Sequence, residues 1–249
     1  MGIYLNPGNN AFEEAVNSEI FIDKTEMISC LNRMVRTEQK YVCVSRPRRF
    51  GKSMAVKMLC AYYDREAESR SIFDKCKISK IKCGQDALNW DEYLGSFHVI
   101  RLVMTDFIKN GCSIHQALER LSRLVIRDLV KAFPEVDFFD RDDLQQSMQD
   151  IYAEKQVQFV VIIDEWDAFF REYKKDKEGQ KRYLNFLRDW LKDKEYIALA
   201  YMTGILPGFK IQEIVLNNRR LLTTAEELAD VRSFLLRRKM PSGGDGQLV

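Results

Sequence analysis

Four short apolar runs divide this chain, and polar residues follow the ones that end at positions 163 and 202. Continuous apolar segments of this length, rich in Val and Ile, are typical of strands buried on both faces of a parallel sheet. The acidic pair Asp164-Glu165 follows one of them, and Thr203-Gly204 follows the last. The predicted strands are residues 41–44, 97–104, 158–163 and 196–202.

Between these strands, apolar residues recur at the spacing of amphipathic helices. Pro134 ends the longest such pattern, because proline cannot continue a helix. The charged run at residues 174–179 predicts a solvated loop. Strands alternating with helices define an α/β fold with a mostly parallel sheet flanked by helices. Helices are predicted at residues 12–17, 25–36, 54–62, 115–133, 143–154, 166–170, 183–191, 211–217 and 225–236.

The length of 249 residues is enough for one substantial hydrophobic core with a small addition. We expect a preamble at residues 1–36 that packs on a core at 37–208, followed by an atypical helical or disordered tail at 209–249. The basic cluster at residues 237–239 either contacts nucleic acid or is a solvated helix end.

The charge balance narrows the classes of partner. The chain has 39 basic and 37 acidic residues, and this balance does not require nucleic acid. Its six cysteines form no C-x-x-C pair, which fits free thiols in a reducing cytoplasm, and two histidines do not predict a zinc site. We expect a cytoplasmic protein with no membrane association, because the N-terminus lacks signal features and no run reaches the ~18 apolar residues of a membrane span.

The turn after the first strand carries phosphate-binding chemistry. A P-loop needs backbone N–H groups that point inward, a lysine that reaches phosphate oxygens and a hydroxyl for Mg²⁺. Gly51, Lys52 and Ser53 supply these parts, whereas Arg46 stands where the pattern G-x-x-x-x-G-K-[ST] has its first glycine. The residues expected to bind the nucleotide are Arg46, Pro47, Arg48, Arg49, Phe50, Gly51, Lys52, Ser53 and Met54.

The acidic pair after the third strand is a candidate Walker B motif. An aspartate at the tip of such a strand helps to hold Mg²⁺, and an adjacent glutamate can orient and deprotonate the attacking water. Asp164 and Glu165 have this pattern, although a strand that merely ends in a polar turn would also have it. Ligand sites lie at the carboxyl ends of parallel strands, where both motifs are predicted.

Other polar residues have two interpretations each. Thr203 either senses the γ-phosphate from a strand inserted between the Walker A and Walker B strands, or belongs to an ordinary turn. Asp106 either approaches the phosphates or caps the following helix. Arg48 and Arg49 either bind phosphate, with Arg48 supplying transition-state charge, or pair with acidic neighbours. Thr25, with Phe21 and Ile22, either packs on a base or has a capping and packing role.

Four segments together resemble the bacterial AAA-ATPase-like family over roughly residues 10 to 208: positions 21–25, 45–53, 163–167 and 202–205. The resemblance implies the three-layer sandwich of a P-loop NTPase, ATP as ligand, and often a nuclease-like domain towards the C-terminus. It also implies that Arg46 is the family's own form of the loop. By this likeness Lys52 and Ser53 contact phosphate and Mg²⁺, Asp164 holds the metal and Glu165 is the base. The resemblance also implies a role for Asp167, which either acts in the site or only supports its structure.

Beyond residue 207 the chain departs from the resemblance, and we expect a truncated relative without nuclease activity. The leading functional hypothesis is Mg²⁺-dependent hydrolysis of ATP. The alternative is a switch that binds the nucleotide without hydrolysing it and presents a surface to a protein partner. Nucleic-acid binding through the tail is a third class, and a homo-oligomer is left open.

Overall fold

The computed structural model of the chain describes residues 2–45, 47, 51–81 and 89–205. In this part of the chain, four strands form one sheet in which every neighbouring pair is parallel, in the order β1-β4-β3-β2. All four predicted strands are confirmed, with small changes at their ends. Their bounds are β1 (Tyr41–Ser45), β2 (His98–Val103), β3 (Phe159–Asp164) and β4 (Ile197–Gly204).

Helices connect the strands in chain order. Three of the longer ones have side-chain caps that satisfy backbone N–H groups of the first turn: Ser113 accepts from Gln116 N before α5, Asp143 accepts from Gln145 N before α6, and Asp176 accepts from Gly179 N before α8. Short 3₁₀ helices lie at Lys77–Lys80, between residue 73 and β2, and at Met104–Phe107, directly after β2. The α-helices are α1 (Asn10–Val16), α2 (Glu26–Asn32), α3 (Lys52–Tyr63), α4 (Arg70–Phe73), α5 (Ile114–Ala132), α6 (Leu144–Lys155), α7 (Ala168–Glu172) and α8 (Lys177–Leu191).

The sheet buries both of its faces, so the structure has three layers. Side chains alternate along β1: Tyr41 and Cys43 join a core cluster with residues of α5, α6 and α8, whereas Val42 and Val44 join a second cluster with residues of α1, α2 and α3. This two-sided burial explains why the strands are continuous apolar runs rather than alternating ones. The α/β fold class is therefore confirmed.

Several predicted boundaries are wrong. The charged run is only partly a loop, because α8 begins inside it at Lys177, where the side chain of Asp176 accepts a hydrogen bond from Gly179 N at 2.8 Å. Asp106 lies in a 3₁₀ turn and does not cap α5, a role that Ser113 has. The second helix ends at Asn32, earlier than predicted. The helices predicted at 211–217 and 225–236 lie outside the described residues.

The N-terminal segment covers the edge of the sheet at β2. Asn6 N donates to Val99 O, and Arg101 N donates to Tyr4 O, both at 2.8 Å. Leu5 and Ile100 form the antiparallel bridge between these two contacts. An edge strand whose backbone groups are paired in this way cannot recruit another strand.

None of the helices within the described ranges has the length and apolar character that crossing a membrane requires.

Candidate functional site

The strand register brings the predicted motifs to one edge of the sheet. Ser45 of β1 pairs with Gly204 of β4, and Ile163 of β3 pairs with Met202. The carboxyl ends of β1 and β3 therefore lie on either side of the end of β4. In a parallel sheet this carboxyl edge is where ligands bind.

The described part of the turn into α3 consists of Pro47, Gly51 and the first helical residue, Lys52. Gly51 precedes the helix with φ +77°, a left-handed conformation that glycine adopts without strain. The side chain of Lys52, the first helical residue, donates from Nζ to the carbonyl of Pro47 at 2.9 Å. A Cβ on residue 51 would lie 3.1 Å from Nζ of Lys24, so this second lysine lies beside the same turn.

The pKa of Lys52 is influenced by the acidic residues at the end of β3 and directly after it. Its partial burial lowers the pKa of the ammonium group, the carboxylates of Asp164, Asp167 and Glu165 oppose this shift, and the guanidinium of Arg171 adds to it. These four side chains and the lysine thus share one electrostatic environment. Two segments far apart in sequence are brought together by the sheet.

Asp164 is the last residue of β3, and its side chain is almost completely buried at 3 % exposure. The hydroxyl of Thr203 donates to Oδ1 of Asp164, and the backbone N–H of Glu165 donates to the same oxygen at 3.0 Å. Burial of a carboxylate is costly unless donors compensate it. The structure therefore places Thr203, inside β4 and not in a turn after it, in direct contact with Asp164.

Glu165 occupies an unusual backbone conformation. Its φ is +52°, in the left-handed region that a non-glycine residue rarely adopts. Its carbonyl accepts from Ala168 N at 2.9 Å, which closes the turn into α7. Its carboxylate Oε2 accepts from Nη2 of Arg171 at 2.7 Å. Such conformations often occur at functional sites, and here the turn directs the side chain towards α7.

Asp167 lies at the base of this turn and is completely buried. Its Oδ2 accepts from Ile205 N at 3.0 Å and lies 3.5 Å from Nε of Arg171. The nearby position 204 has room only for glycine, because a Cβ there would lie 2.5 Å from Nε1 of Trp166. Asp167 is thus tied to the chain that follows β4 and to α7.

Arg171 is the site residue that the sequence analysis missed. It contacts both Glu165 and Asp167, and its side chain is only 16 % exposed. The available signal was its position four residues after Asp167, the spacing at which side chains meet on one helical face. That signal was lost because the helical region was predicted from its aromatic residues alone.

The remaining predicted residues divide into three groups. Ser53 is exposed on the first turn of α3, and Met54 is partly buried against the second core cluster. Thr25 has a structural role, since its hydroxyl donates to Asp23 Oδ1 at 2.7 Å and accepts from Ile78 N at 3.1 Å. Outside the described residues lie Arg46, Arg48, Arg49 and Phe50.

Within the ranges described, no cluster of three or more His, Cys, Asp and Glu side chains has an arrangement suited to hold a metal ion. Such a cage is not what Mg²⁺ requires beside a nucleotide, where one or two protein ligands combine with phosphate oxygens and water. Asp164, a buried carboxylate at the strand end, and Ser53, an exposed hydroxyl on α3, have the oxygen chemistry for that arrangement.

The fold and the site together define an α/β protein whose parallel sheet and helix-starting Gly-Lys-Ser turn are compatible with a P-loop class. Residues 8–215 match the model of the family AAA-ATPase_like, described as predicted AAA-ATPase. The chain belongs to this family. No curated protein matches it.

Proposed function

We propose that this protein binds ATP at the turn into α3 and hydrolyses it to ADP and phosphate with Mg²⁺. One observation carries the proposal: the sheet register places the end of β1, which leads into Lys52 of α3, and the carboxylates at the end of β3 on either side of the end of β4. A phosphate-binding lysine beside strand-end carboxylates is the arrangement that P-loop ATPases use. We assign β1 as the Walker A strand and β3 as the Walker B strand, with β4 between them.

The side chains have separate roles in this proposal. Lys52 contacts the β- and γ-phosphates, and Ser53 and Asp164 would hold the cation, which supplies neutralising charge to the phosphate oxygens. Glu165 orients the attacking water and accepts its proton. Thr203 holds Asp164 in place through the hydrogen bond of its hydroxyl, and it senses the γ-phosphate. Arg48 supplies further positive charge from the loop.

The charges of the site support dependence on a divalent cation. Carboxylates as close together as Asp164, Glu165 and Asp167 repel the phosphates of a nucleotide by Coulomb's law. A divalent cation between carboxylate and phosphate removes this repulsion. We also propose residues 37–208 as the ATPase core, preceded by a preamble at 1–36 and followed by a tail at 209–249.

Calorimetric titration of Mg-ATP into the wild-type chain and into Lys52→Ala tests nucleotide binding. The wild type should bind saturably, and the variant should bind at least about 10-fold more weakly, because a charge-assisted contact to phosphate is lost. Lys57→Ala changes the next lysine of the same helix and should bind as the wild type does. Equal binding by Lys52→Ala would rule out this turn as the phosphate site.

The second candidate is a nucleotide-dependent switch without turnover that presents a surface to a protein partner. The observation in its favour is the ion pair of Glu165 with Arg171, which engages the carboxylate that hydrolysis requires. Glu165→Gln separates the two functions. An ATPase should lose about 10²- to 10⁴-fold in turnover, retain a measurable residual rate and keep Mg-ATP binding, whereas a switch should respond to ATP in the same way with either residue. Phosphate release and calorimetry on the same samples distinguish these outcomes.

A further inference from the structure

Arg171 connects a fully buried carboxylate to a partly exposed one. Its Nε lies 3.5 Å from Oδ2 of Asp167, and its Nη2 lies 2.7 Å from Oε2 of Glu165. The side chains of Asp167 and Glu165 are 0 % and 35 % exposed. The guanidinium therefore lies between a carboxylate in the interior and one that is partly exposed.

The anchor itself is well fixed. Asp167 Oδ2 accepts from Ile205 N at 3.0 Å, and the carbonyl of Asp167 accepts from Arg171 N at 3.2 Å. The contact of Arg171 Nε with Asp167 is an ion pair at 3.5 Å and not a hydrogen bond, whereas Nη2 donates to Glu165 at 2.7 Å. Because the guanidinium is planar with its donors in a fixed fork, its position beside Asp167 also limits where Nη2 can point. At 16 % exposure, the side chain of Arg171 is a mostly buried link between the two carboxylates rather than a solvated surface charge.

Glu165 needs such a support. Its backbone φ of +52° determines where the side chain leaves the turn, but the side-chain torsions remain free to rotate unless a partner holds them. A general base acts efficiently only when a third group orients it towards the proton that it accepts. The contact with Arg171 uses Oε2, and a carboxylate has a second oxygen that can accept a proton.

We propose that Arg171 is a positioning residue that fixes the carboxylate of Glu165 for the attack of water, a role that rests on the proposed ATPase function. The competing explanation is that Arg171 only neutralises the buried charge of Asp167. The two explanations differ in one respect. A positioning residue acts through Glu165, whereas a neutralising residue does not depend on it.

The experiment is a double-mutant cycle on the full chain, with single-turnover ATP hydrolysis and Mg-ATP affinity measured for each protein. Arg171→Ala should lower kcat by about 10- to 100-fold, the range in which a misplaced catalytic group reduces the rate. KM and the affinity for Mg-ATP should stay within about 2-fold of the wild type, because no phosphate contact is removed. In a Glu165→Gln background, the same substitution should produce no further loss of rate.

Two further variants keep the test decisive. Arg171→Lys retains a cation next to Asp167 and serves if Arg171→Ala does not fold; one ammonium cannot contact both carboxylates as the fork does, so an intermediate kcat is expected. Arg182→Ala removes an exposed arginine of α8, whose contact with Glu178 is 3.8 Å long, and should leave kcat unchanged.

The outcomes separate this inference from the proposed function. Two results would overturn the positioning role and leave the ATPase function standing. One is a rate in the double variant that shows the full losses of Arg171→Ala and Glu165→Gln multiplied together. The other is a normal kcat in both Arg171 variants. A folded wild-type chain that binds Mg-ATP but shows no hydrolysis would overturn both the hydrolytic function and the role of Arg171.

Discussion

Thr203 and Asp164 illustrate how single residues define this site. The hydroxyl donates across the β3–β4 pair to a carboxylate that is 3 % exposed. Water has little access to compensate a buried charge, so each donor to it matters more than at the surface.

Replacing Thr203 by Val should destabilise the chain by about 1–3 kcal/mol, because the methyl group conserves shape but removes a donor to a buried acceptor. The free energy of unfolding in urea, taken at pH 7, measures this loss. Thr203→Ser retains the hydroxyl and should cost less than the Val variant. If Thr203→Val is no more destabilised than Thr203→Ser, the hydrogen bond to Asp164 does not account for the loss of stability.

The site could be predicted from the sequence where its residues are adjacent in the chain. Gly51, Lys52 and Ser53 form one motif and Asp164 with Glu165 another, so local pattern was sufficient. Arg171 could not be found in this way, because its contacts depend on how the short helix α7 turns back over the acidic residues. The contact of Thr203 with Asp164 likewise depends on the pairing of β4 with β3.

At the level of elements, strands were predicted better than helix ends. A strand buried on both faces is a run of apolar residues, as in β3, where all positions from Phe159 to Asp164 are buried. Helix ends depend on a few capping hydrogen bonds, and the composition of a segment does not show which residue makes them. The charged run at 174–179 looked like a loop, yet Asp176 caps α8 within it.

The longest helix offers a direct test of capping. Before α5, Ser113 Oγ accepts from Gln116 N at 3.2 Å and Gln116 Oε1 accepts from Ser113 N at 2.9 Å, which is a reciprocal capping box. Ser113→Ala should destabilise the chain by about 1 kcal/mol, the usual value of a lost N-cap. Thermal and urea unfolding measure it.

The matched control lies on the same helix. Ser122→Ala replaces a serine within α5 and should be neutral or slightly stabilising, because alanine favours the helix interior. An equal loss in both serine variants would contradict the cap as the cause.

For the whole molecule, the three layers explain why the candidate site forms at one edge. Both faces of the sheet are covered by helices, and the N-terminal segment lies along β2. The carboxyl ends of β1, β3 and β4 thus remain the place where polar side chains can converge without being packed under a helix.

The contact between the N-terminal segment and β2 should make the stability of the whole chain depend on pH. His98 is 8 % exposed, its Nδ1 lies 2.8 Å from Nδ2 of Asn6, and its Nε2 lies 3.4 Å from Nη1 of Arg65. Both neighbours are donors, so a protonated ring would face donors on each side. Burial, with the charge of Arg65, lowers the pKa of His98 from 6.5 to about 4, and Glu66 opposes this shift.

Because the folded pKa lies below the unfolded value, the unfolded chain binds a proton between pH 6.5 and about 4 that the folded chain does not bind. Stability should therefore fall as pH decreases through this window, by up to about 3 kcal/mol from this group. Urea unfolding of the wild type and His98→Gln between pH 7 and pH 4 isolates the effect, since carboxylates common to both chains cancel. The free-energy difference between the two chains should shift against the wild type as pH falls. A pH-independent difference between the wild type and His98→Gln would mean that His98 is protonated in the folded chain as readily as in the unfolded one.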